Sequence, residues 1–210
     1  MKKVVHSFAG NPLIFNALRR IIEFNYGSVK RAIRNELRLS GRAEQAAPGA
    51  SILDLPCGTG EFSTLFPAGG YHGMDIAENY IAYARRKYPG YRYFLRDARD
   101  TGFDDGYFDA VLTLGFLHHL DDATVAPVLK EVKRILKPDG TFLLIEDTPI
   151  ASAWNVIGKE LMKYDVGSYI RPAAEYRAVL ERDFAIHRNY NINSGVWRYS
   201  VFVMSPLKHG

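Results

Sequence analysis

Three aspartates stand where the recognition of a nucleoside would need them. Asp54, Asp75 and Asp97 lie at the ends of three successive apolar runs, and Asp75 comes about 20 residues after Asp54. An acid at the second of these positions can accept hydrogen bonds from both hydroxyls of a ribose. A carboxylate at the third could accept one from the exocyclic amine of adenine, with Ile76 and Ala98 as apolar cover for the ring. Together the three acids indicate a nucleoside site at one edge of a sheet.

A turn containing two glycines follows the first of these runs. Residues 52–62 read ILDLPCGTGEF, in which Gly58 and Gly60 would let a ligand approach the backbone closely. Ser63 stands where a nicotinamide-dinucleotide loop has its third glycine, and the Gly-Lys-Ser/Thr of an ATP-binding loop does not follow. The acidic Glu61 also disfavours a pyrophosphate. A cationic ligand without phosphate fits better, and S-adenosylmethionine, which carries a sulfonium and an ammonium group, is such a ligand.

Two adjacent histidines follow the fourth apolar run. His118 and His119 would lie beside the reactive end of such a ligand, where an imidazole could take a proton from a phenol, a hydroxyl or an acidic carbon. The alternative is that one ring packs against the sheet and makes a structural hydrogen bond. Asp121 and Asp122 come next, and adjacent acids before a helix are typical of an N-cap pair. We therefore predict no metal.

Short apolar runs alternate with helical patterns from residue 51 onward, which is typical of a parallel sheet with helices on both faces. We predict strands over Ser51–Leu55, Tyr71–Met74, Tyr91–Leu95, Ala110–Leu114 and Thr141–Glu146. The predicted helices between them are Glu61–Phe66, Ala77–Tyr88 and Asp122–Leu136. Asn193-Ser194-Gly195 is a hairpin signal between two further strands, Ala185–Asn191 and Trp197–Met204. The fold class is a doubly wound, Rossmann-like α/β sheet that ends in an antiparallel hairpin.

The N-terminal region has the pattern of amphipathic helices. Apolar residues three or four positions apart form one stripe over residues 13–39, with a predicted break at Gly27 and a new N-cap at Ser28. A segment with the composition of a linker, residues 40–50, follows. We therefore expect an N-terminal helical lid and one globular cofactor-binding unit, residues 1–49 and 50–210.

Charge is unevenly distributed along the chain. The 210 residues include 27 Lys and Arg against 23 Asp and Glu, yet residues 1–45 contain nine basic and three acidic residues. A basic arm could meet an anionic partner such as a membrane surface, although a solvated helix face is the more ordinary interpretation. The single cysteine, Cys57, excludes a disulfide framework and fits a small buried residue. No apolar run is long enough to span a membrane, so we expect a cytoplasmic protein.

Six segments between about residue 50 and residue 148 share one family's pattern. They are Ile52–Gly60, Gly73–Ile76, Arg96–Ala98, Phe108–Leu112, Leu117–Leu120 and Leu129–Leu144. In these segments the chain resembles the class I S-adenosylmethionine-dependent methyltransferases. It is most similar to their small-molecule group (methyltransferase type 11), which includes the ubiquinone and menaquinone C-methyltransferases. One residue departs from the pattern, because Pro56 stands where the family usually has glycine.

The resemblance implies a seven-stranded sheet with an antiparallel last strand, in agreement with the predicted hairpin. It also implies methyl transfer from S-adenosylmethionine, with S-adenosylhomocysteine as the product. Asp54, Gly58 and Gly60 would surround the methionine end of the cofactor, Asp75 its ribose and Asp97 its adenine. The expected cofactor-binding residues are Asp54, Pro56, Gly58, Gly60, Asp75, Ile76, Asp97, Ala98, Leu114 and Gly115.

The acceptor pocket would come from the parts least shared within the family, namely the N-terminal helices and residues 149–183. We expect Tyr26, Tyr169 and Arg171 to bind a small acceptor that is aromatic or lipid-like and carries a carboxylate or phenolate. Arg171 could instead simply anchor its loop. A nucleic-acid partner is not expected, because Thr113–Phe116 replaces the [DNS]-P-P-[YFW] segment of amino-group methyltransferases that act on bases.

Two classes of function remain open at this point. The first is a methyltransferase that acts on oxygen, carbon or nitrogen of a small metabolite. The second is a protein of the same fold that binds the cofactor without transferring its methyl group, as a cyclase-like natural-product enzyme or a partner-binding subunit. Trp154 and Tyr164 fit core positions as well as pocket positions. A third possibility is peripheral membrane contact through the basic N-terminal helices, with a lipid or quinone acceptor.

Overall fold

One sheet of seven strands organises the computed structural model, which describes residues 19–39, 50–150, 155 and 169–208. The strands are β1 (Ile52–Asp54), β2 (Tyr71–Asp75), β3 (Arg92–Leu95), β4 (Phe108–Leu114), β5 (Leu136–Asp147), β6 (Phe184–Ser194) and β7 (Trp197–Pro206). Their order is β3-β2-β1-β4-β5-β7-β6. Neighbours from β3 to β5 pair in parallel, whereas β7 is antiparallel to both β5 and β6. The predicted seven-stranded sheet with an antiparallel last strand is confirmed.

Helices cover both faces of the sheet. They are α1 (Gly27–Leu39), α2 (Glu78–Lys87), α3 (Asp122–Ile135) and α4 (Ala173–Leu180), of which α4 was not predicted. One buried apolar cluster joins Val29 and Ile33 of α1 to Ile81 of α2 against one face. A second joins Val125 and Leu129 of α3 to the other face. Burial of both faces explains why the central strands are continuous apolar runs in the sequence.

Strand order reverses between β1 and β4, which lie side by side although they are not consecutive. In open parallel sheets, ligands bind outside the carboxyl ends of the strands at such a switch point. The glycine turn leaves β1 and the histidine pair follows β4, so the sheet brings these two segments to the same edge.

The predicted helix over Glu61–Phe66 is wrong. Only one 3₁₀ turn forms there, at Ser63–Leu65. Pro67 explains this early end, because the residue before a proline is driven towards extended backbone, and Phe66 has φ −120° and ψ 153°. The glycine turn therefore leads into a short loop and not into a helix.

The break in the N-terminal stripe comes earlier than predicted. Residues 24–26 have φ of 48°, 58° and 57°, in the left-handed region. Gly27 is already helical, with φ −56° and ψ −44°, so the predicted N-cap at Ser28 is wrong. Residues 1–18 and residues 40–49 of the predicted linker over 40–50 lie outside the described residues. Within the described part of the chain, none of the helices is long and apolar enough to cross a membrane.

Contact with the turn between β6 and β7 accounts for the early break. Val196 N donates to the carbonyl of Ile22 at 3.3 Å, and Ser194 Oγ donates to that of Glu23 at 3.1 Å. A Cβ atom on Gly195 would lie 1.7 Å from the Ile22 oxygen. Only glycine permits this approach, so the hairpin seats the N-terminal segment against the sheet.

Candidate active site

Asp75 ties the end of β2 to the glycine turn. Its Oδ2 accepts a hydrogen bond from Gly58 N at 2.9 Å, and its Oδ1 accepts one from Ala77 N at 2.8 Å. Burial raises the pKa of Asp75, and these backbone N–H groups offset part of that rise. The carboxylate thus fixes the glycine turn relative to the carboxyl end of β2.

Asp54 is the most deeply placed of the predicted acids. Its side chain is 1% exposed, and its Oδ2 accepts a hydrogen bond from Tyr71 Oη at 2.7 Å. Burial raises the pKa of Asp54 to about 7, with a further contribution from the negative charge of Asp75. A nearby cation would favour the ionised form of such an acid. This end of the site is therefore suited to a positively charged group.

The two glycines of the turn serve different purposes. Both have positive φ, +51° at Gly58 and +74° at Gly60. A Cβ on Gly58 would meet no atom within 4 Å, so this residue faces open space where a ligand could approach. A Cβ on Gly60 would lie 2.7 Å from Tyr93 Oη, so that glycine makes room for the ring beneath the turn. Cys57, which directly precedes Gly58, is buried, and burial raises the pKa of its thiol.

A cavity of about 270 Å³ opens beside the glycine turn. Side chains from beyond β4, namely Phe116, Leu120 and Val128, form an apolar wall. Of the predicted cofactor residues, the cavity brings together Pro56, Asp75, Ile76, Asp97 and Ala98. Pro56, which follows a cis peptide bond, replaces the family's glycine within this lining. An apolar slot with acids at its rim suits a flat nucleoside base.

The remaining predicted cofactor residues lie next to this cavity and not in its described lining. Asp54, Gly58 and Gly60 belong to β1 and its turn, while Leu114 and Gly115 end β4. Gly115 has φ +58°, and a Cβ there would stand 3.5 Å from Asp147 Oδ2. The predicted residues thus fall into two adjacent groups along the sheet edge.

Asp97 is already engaged by a neighbour. Three N–H groups of Arg99 donate to it: the backbone N to Oδ1 at 2.8 Å, Nε to Oδ1 at 3.0 Å and Nη2 to Oδ2 at 2.6 Å. The Arg99 guanidinium lowers the pKa of the Asp97 carboxyl. Both residues line the cavity. A carboxylate oxygen can accept more than one hydrogen bond, so Asp97 keeps acceptor capacity towards a ligand.

His118 and His119 differ in their surroundings. His118 is buried, and its Nδ1 lies 2.9 Å from Glu146 Oε2 and 3.5 Å from Asp147 Oδ2. His119 is exposed, and the centres of the two rings are 4.0 Å apart. Asp121 Oδ1 accepts a hydrogen bond from Thr124 N at 2.8 Å, which confirms the predicted N-cap. Within the described residues, no three His, Cys, Asp or Glu side chains come together as a metal site would require.

Tyr169 and Arg171, predicted to bind an acceptor, contact the 3₁₀ turn Leu117–His119 and its flanking residues, which we call the histidine turn. Tyr169 N donates to the carbonyl of His118 at 2.9 Å, while its ring is 44% exposed. The Arg171 guanidinium donates to the carbonyls of Leu117 at 3.0 Å and Leu120 at 2.9 Å. It also pairs with Asp122 at 2.7 Å. Arg171 therefore holds its loop against the histidine turn, while Trp154 and Tyr164 lie outside the described residues.

Tyr26, the third predicted acceptor residue, is buried against the glycine turn. Its ring packs edge-on against Phe62 with centroids 5.3 Å apart, and burial raises its pKa to about 12. Beside it, Glu61 pairs with Arg20 at 2.6 Å and with Lys30 at 3.1 Å. Part of the basic N-terminal charge is therefore neutralised by contacts within the chain, and these ion pairs hold the N-terminal segment against the glycine turn.

Two acids at the end of β5 were not predicted as site residues. Glu146 and Asp147 are 0% and 1% exposed and both face His118. The signal was present, since the pair directly follows the apolar run 141–145. The same criterion, an acid at the end of a buried strand, had identified Asp54 and Asp75.

Comparison with known proteins identifies a family whose members this chain resembles. Residues 53–144 match the family model described as "Methyltransferase domain". An uncharacterised methyltransferase of Synechocystis is 30% identical over 137 residues, which is 64% of this chain and 63% of the relative. A demethylmenaquinone methyltransferase of Staphylococcus carnosus is 31% identical over 155 residues, covering 69% of this chain and 61% of the relative. The chain thus spans less than two thirds of the length of these curated relatives.

Solved structures share the fold at lower sequence identity. A geranyl diphosphate C-methyltransferase from Streptomyces coelicolor, in complex with Mg²⁺, geranyl diphosphate and S-adenosyl-L-homocysteine, superposes with a TM-score of 0.68. The two sequences are 14% identical, and the match covers 86% of this chain and 78% of that one.

Proposed function

This chain belongs to the class I S-adenosylmethionine-dependent methyltransferases, and from that premise we propose that it transfers the cofactor's methyl group to a small-molecule acceptor. One observation carries the proposal. The acids that end β1, β2 and β3 lie along one sheet edge, next to a glycine turn and an apolar slot. That arrangement suits a ligand with a purine, a ribose and a cationic end.

The described residues fit this cofactor. Open space at Gly58 leaves room for a ligand against the turn, and Asp75 stands where it can accept the ribose hydroxyls. Ile76 and Ala98 line the slot proposed for adenine, with Asp97 at its rim as acceptor for the exocyclic amine. Asp54, whose pKa burial raises, would be stabilised as a carboxylate by the cationic methionine end.

Methyl transfer is an in-line displacement, and the bound cofactor supplies a methyl carbon already activated by a sulfonium. The chain's own contribution is then mainly to orient the two reactants. Orientation of this kind can lower a reaction barrier by about 7–11 kcal/mol. The edge acids hold one reactant, and the histidine turn stands at the end of the neighbouring strand. If the acceptor keeps its proton at neutral pH, His118 or His119 would remove it, which typically contributes about 10²–10⁴-fold.

We also propose that the acceptor is aromatic or lipid-like. The relative from Staphylococcus carnosus is named for demethylmenaquinone and the Streptomyces structure for geranyl diphosphate, and both molecules carry an apolar isoprenoid part. In this chain Tyr169, which is 44% exposed, borders the histidine turn through its hydrogen bond to the His118 carbonyl. An apolar acceptor would find contact surface there.

Calorimetric titration with S-adenosylmethionine, S-adenosylhomocysteine and NAD tests the cofactor. We expect the first two to bind and NAD not to bind. Asp75→Ala should weaken binding by about 100-fold, because it removes a charged acceptor from the ribose and frees Gly58 N and Ala77 N. Asp104→Ala, at an exposed position away from the cavity lining, is the matched control and should bind as the unaltered chain does.

Product formation then separates the two classes of function. S-adenosylhomocysteine released in the presence of demethylated quinols, isoprenoid diphosphates or phenolic acids would establish methyl transfer. Tight cofactor binding with no product from any of these acceptors would favour a cofactor-binding protein without transfer. Failure to bind S-adenosylmethionine, with the fold intact by circular dichroism, would contradict the proposal.

A further inference from the structure

Glu146 collects three hydrogen-bond donors from a single turn. Its Oε1 accepts from the backbone N–H groups of Phe116 at 2.8 Å and Leu117 at 2.6 Å. Its Oε2 faces His118 Nδ1 at 2.9 Å. The side chain is 0% exposed. Burying a carboxylate is costly unless its lone pairs are satisfied, and here successive residues of the histidine turn satisfy them.

The carbonyl side of the same turn is bound by a different segment. Arg171 donates to the carbonyls of Leu117 and Leu120, and Tyr169 N donates to that of His118. The turn is therefore held from two sides, by a carboxylate that takes its N–H groups and by a loop that takes its carbonyls. Glu146 also reaches the imidazole ring of His118.

We infer that Glu146 is a positioning residue that holds His118 as the tautomer protonated on Nδ1, with the ring's lone pair on Nε2. An ionised carboxylate can only accept, so the nitrogen that faces Oε2 must carry the proton. Asp147 Oδ2, 3.5 Å from the same nitrogen, favours the same tautomer. A base needs its lone pair on the nitrogen that meets the acceptor. The catalytic consequence rests on the proposed function, whereas the tautomer does not.

Glu146→Gln is the variant that isolates this role. The glutamine carbonyl can still accept from Phe116 N and Leu117 N, so the turn keeps its support. The amide NH₂ then faces Nδ1 and donates to it, which moves the ring proton to Nε2. Arg171→Met is the matched control, because it loosens the turn from the carbonyl side without touching the ring nitrogens.

Nitrogen-15 NMR of the histidine side chains reads the tautomer directly in the cofactor-free protein, with His118 assigned by its loss in a His118→Asn variant. We expect protonated Nδ1 in the unaltered chain and in Arg171→Met, and protonated Nε2 in Glu146→Gln. A proton on Nε2 in the unaltered chain would overturn the inference, and this measurement does not depend on the folding of any Glu146 variant. An unchanged tautomer in a folded Glu146→Gln protein would overturn it as well.

Turnover separates this inference from the proposed function. With an acceptor in hand, Glu146→Gln should lower kcat by about 10²–10⁴-fold while the Kd for S-adenosylmethionine changes less than about twofold. A reversed tautomer with unchanged kcat would leave the positioning role intact. It would show that His118 is not the base, which is a failure of the proposed mechanism alone.

Discussion

Asp54 and Glu146 are equally buried carboxyl groups with very different hydrogen-bond partners. Asp54 ends β1 at 1% exposure and accepts one described hydrogen bond, from the Tyr71 hydroxyl at 2.7 Å. Glu146, near the end of β5 at 0% exposure, accepts two from backbone N–H groups of one turn and faces His118 Nδ1, the third donor in the inferred tautomer. Both groups lie at the same edge of the sheet. The two carboxyl groups are buried to the same extent, but Asp54 has more capacity than Glu146 to bind a further donor or cation.

This difference assigns different tasks to the two regions. An acid with a single neutral donor in a low-dielectric site resists ionisation, so its charge becomes available when a cation arrives. An acid with three N–H donors is largely occupied by the chain itself. The cofactor region is therefore built to respond to a ligand, and the histidine region is built to hold a shape.

The largest expected effect is on the pH dependence of stability. The pKa of Asp54 is about 7 in the folded chain against 3.8 for the unperturbed group, so the native state binds more protons between these values. The contribution of Asp54 to stability is then fully present below about pH 4 and is lost as pH rises through about 7, by on the order of 4 kcal/mol. Urea unfolding at several pH values measures this slope.

Asp54→Asn should flatten most of that slope. Asp75 and Glu23, whose pKa values burial also raises, contribute with the same sign, so the variant is needed to isolate Asp54. If the slope over this window is unchanged in Asp54→Asn, Asp54 ionises freely and the contrast with Glu146 is lost.

Tyr71→Phe sharpens the comparison with a smaller change. It removes the hydroxyl donor to Asp54 and should cost about 1–3 kcal/mol at pH 8, where the carboxylate is charged. At pH 5 Asp54 is protonated, so the loss should be smaller. Guanidinium unfolding of both proteins at these two pH values gives the measurement. An equal loss at both would mean that the tyrosine contributes by packing alone.

Glu61 provides a third buried carboxylate, one that is satisfied by cations. Its partners are partly solvated, with Arg20 42% and Lys30 20% exposed, so Glu61→Gln should destabilise by only about 1 kcal/mol. The difference should shrink in 1 M salt, where the screening length is about 3 Å. Glu181→Gln, which breaks the exposed pair with Arg177, is the control and should cost less. Equal losses of unfolding free energy in the two variants, measured in urea, would show that the ion pairs of Glu61 do not hold the N-terminal segment against the glycine turn.

The candidate cofactor region leaves a recognisable pattern in the sequence because its residues follow successive strands of one sheet. Asp75 binds the backbone of Ala77 two residues on and of Gly58 in the preceding turn, and such motifs leave a fixed pattern of glycines and strand-end acids. The alternation of apolar runs and helical patterns likewise predicted the sheet and its hairpin. These features depend on neighbours in sequence, which a reader of the sequence can see.

From the sequence, the histidine region could be predicted only as two adjacent histidines, without the residues that hold them. Glu146 reaches His118 across 28 positions, and Arg171 reaches Leu117 across 54. Spacing along the chain carries no mark of either contact, so the sequence left both an acceptor role and a loop-anchoring role open for Arg171. The early break after Glu23 has the same cause, since Gly195 of a distant hairpin sets it.

The outer strand β6 has a consequence for how the molecule meets its own copies. An edge strand exposes unpaired backbone groups to which another chain could add. Here β6 carries exposed polar side chains at His187, Arg188, Asn189, Asn191 and Asn193. Its pairing with β7 also slips between Ile186 and Arg188, which bends the strand away from a flat template. The edge is thereby made a poor template for the addition of a strand from another copy of the chain.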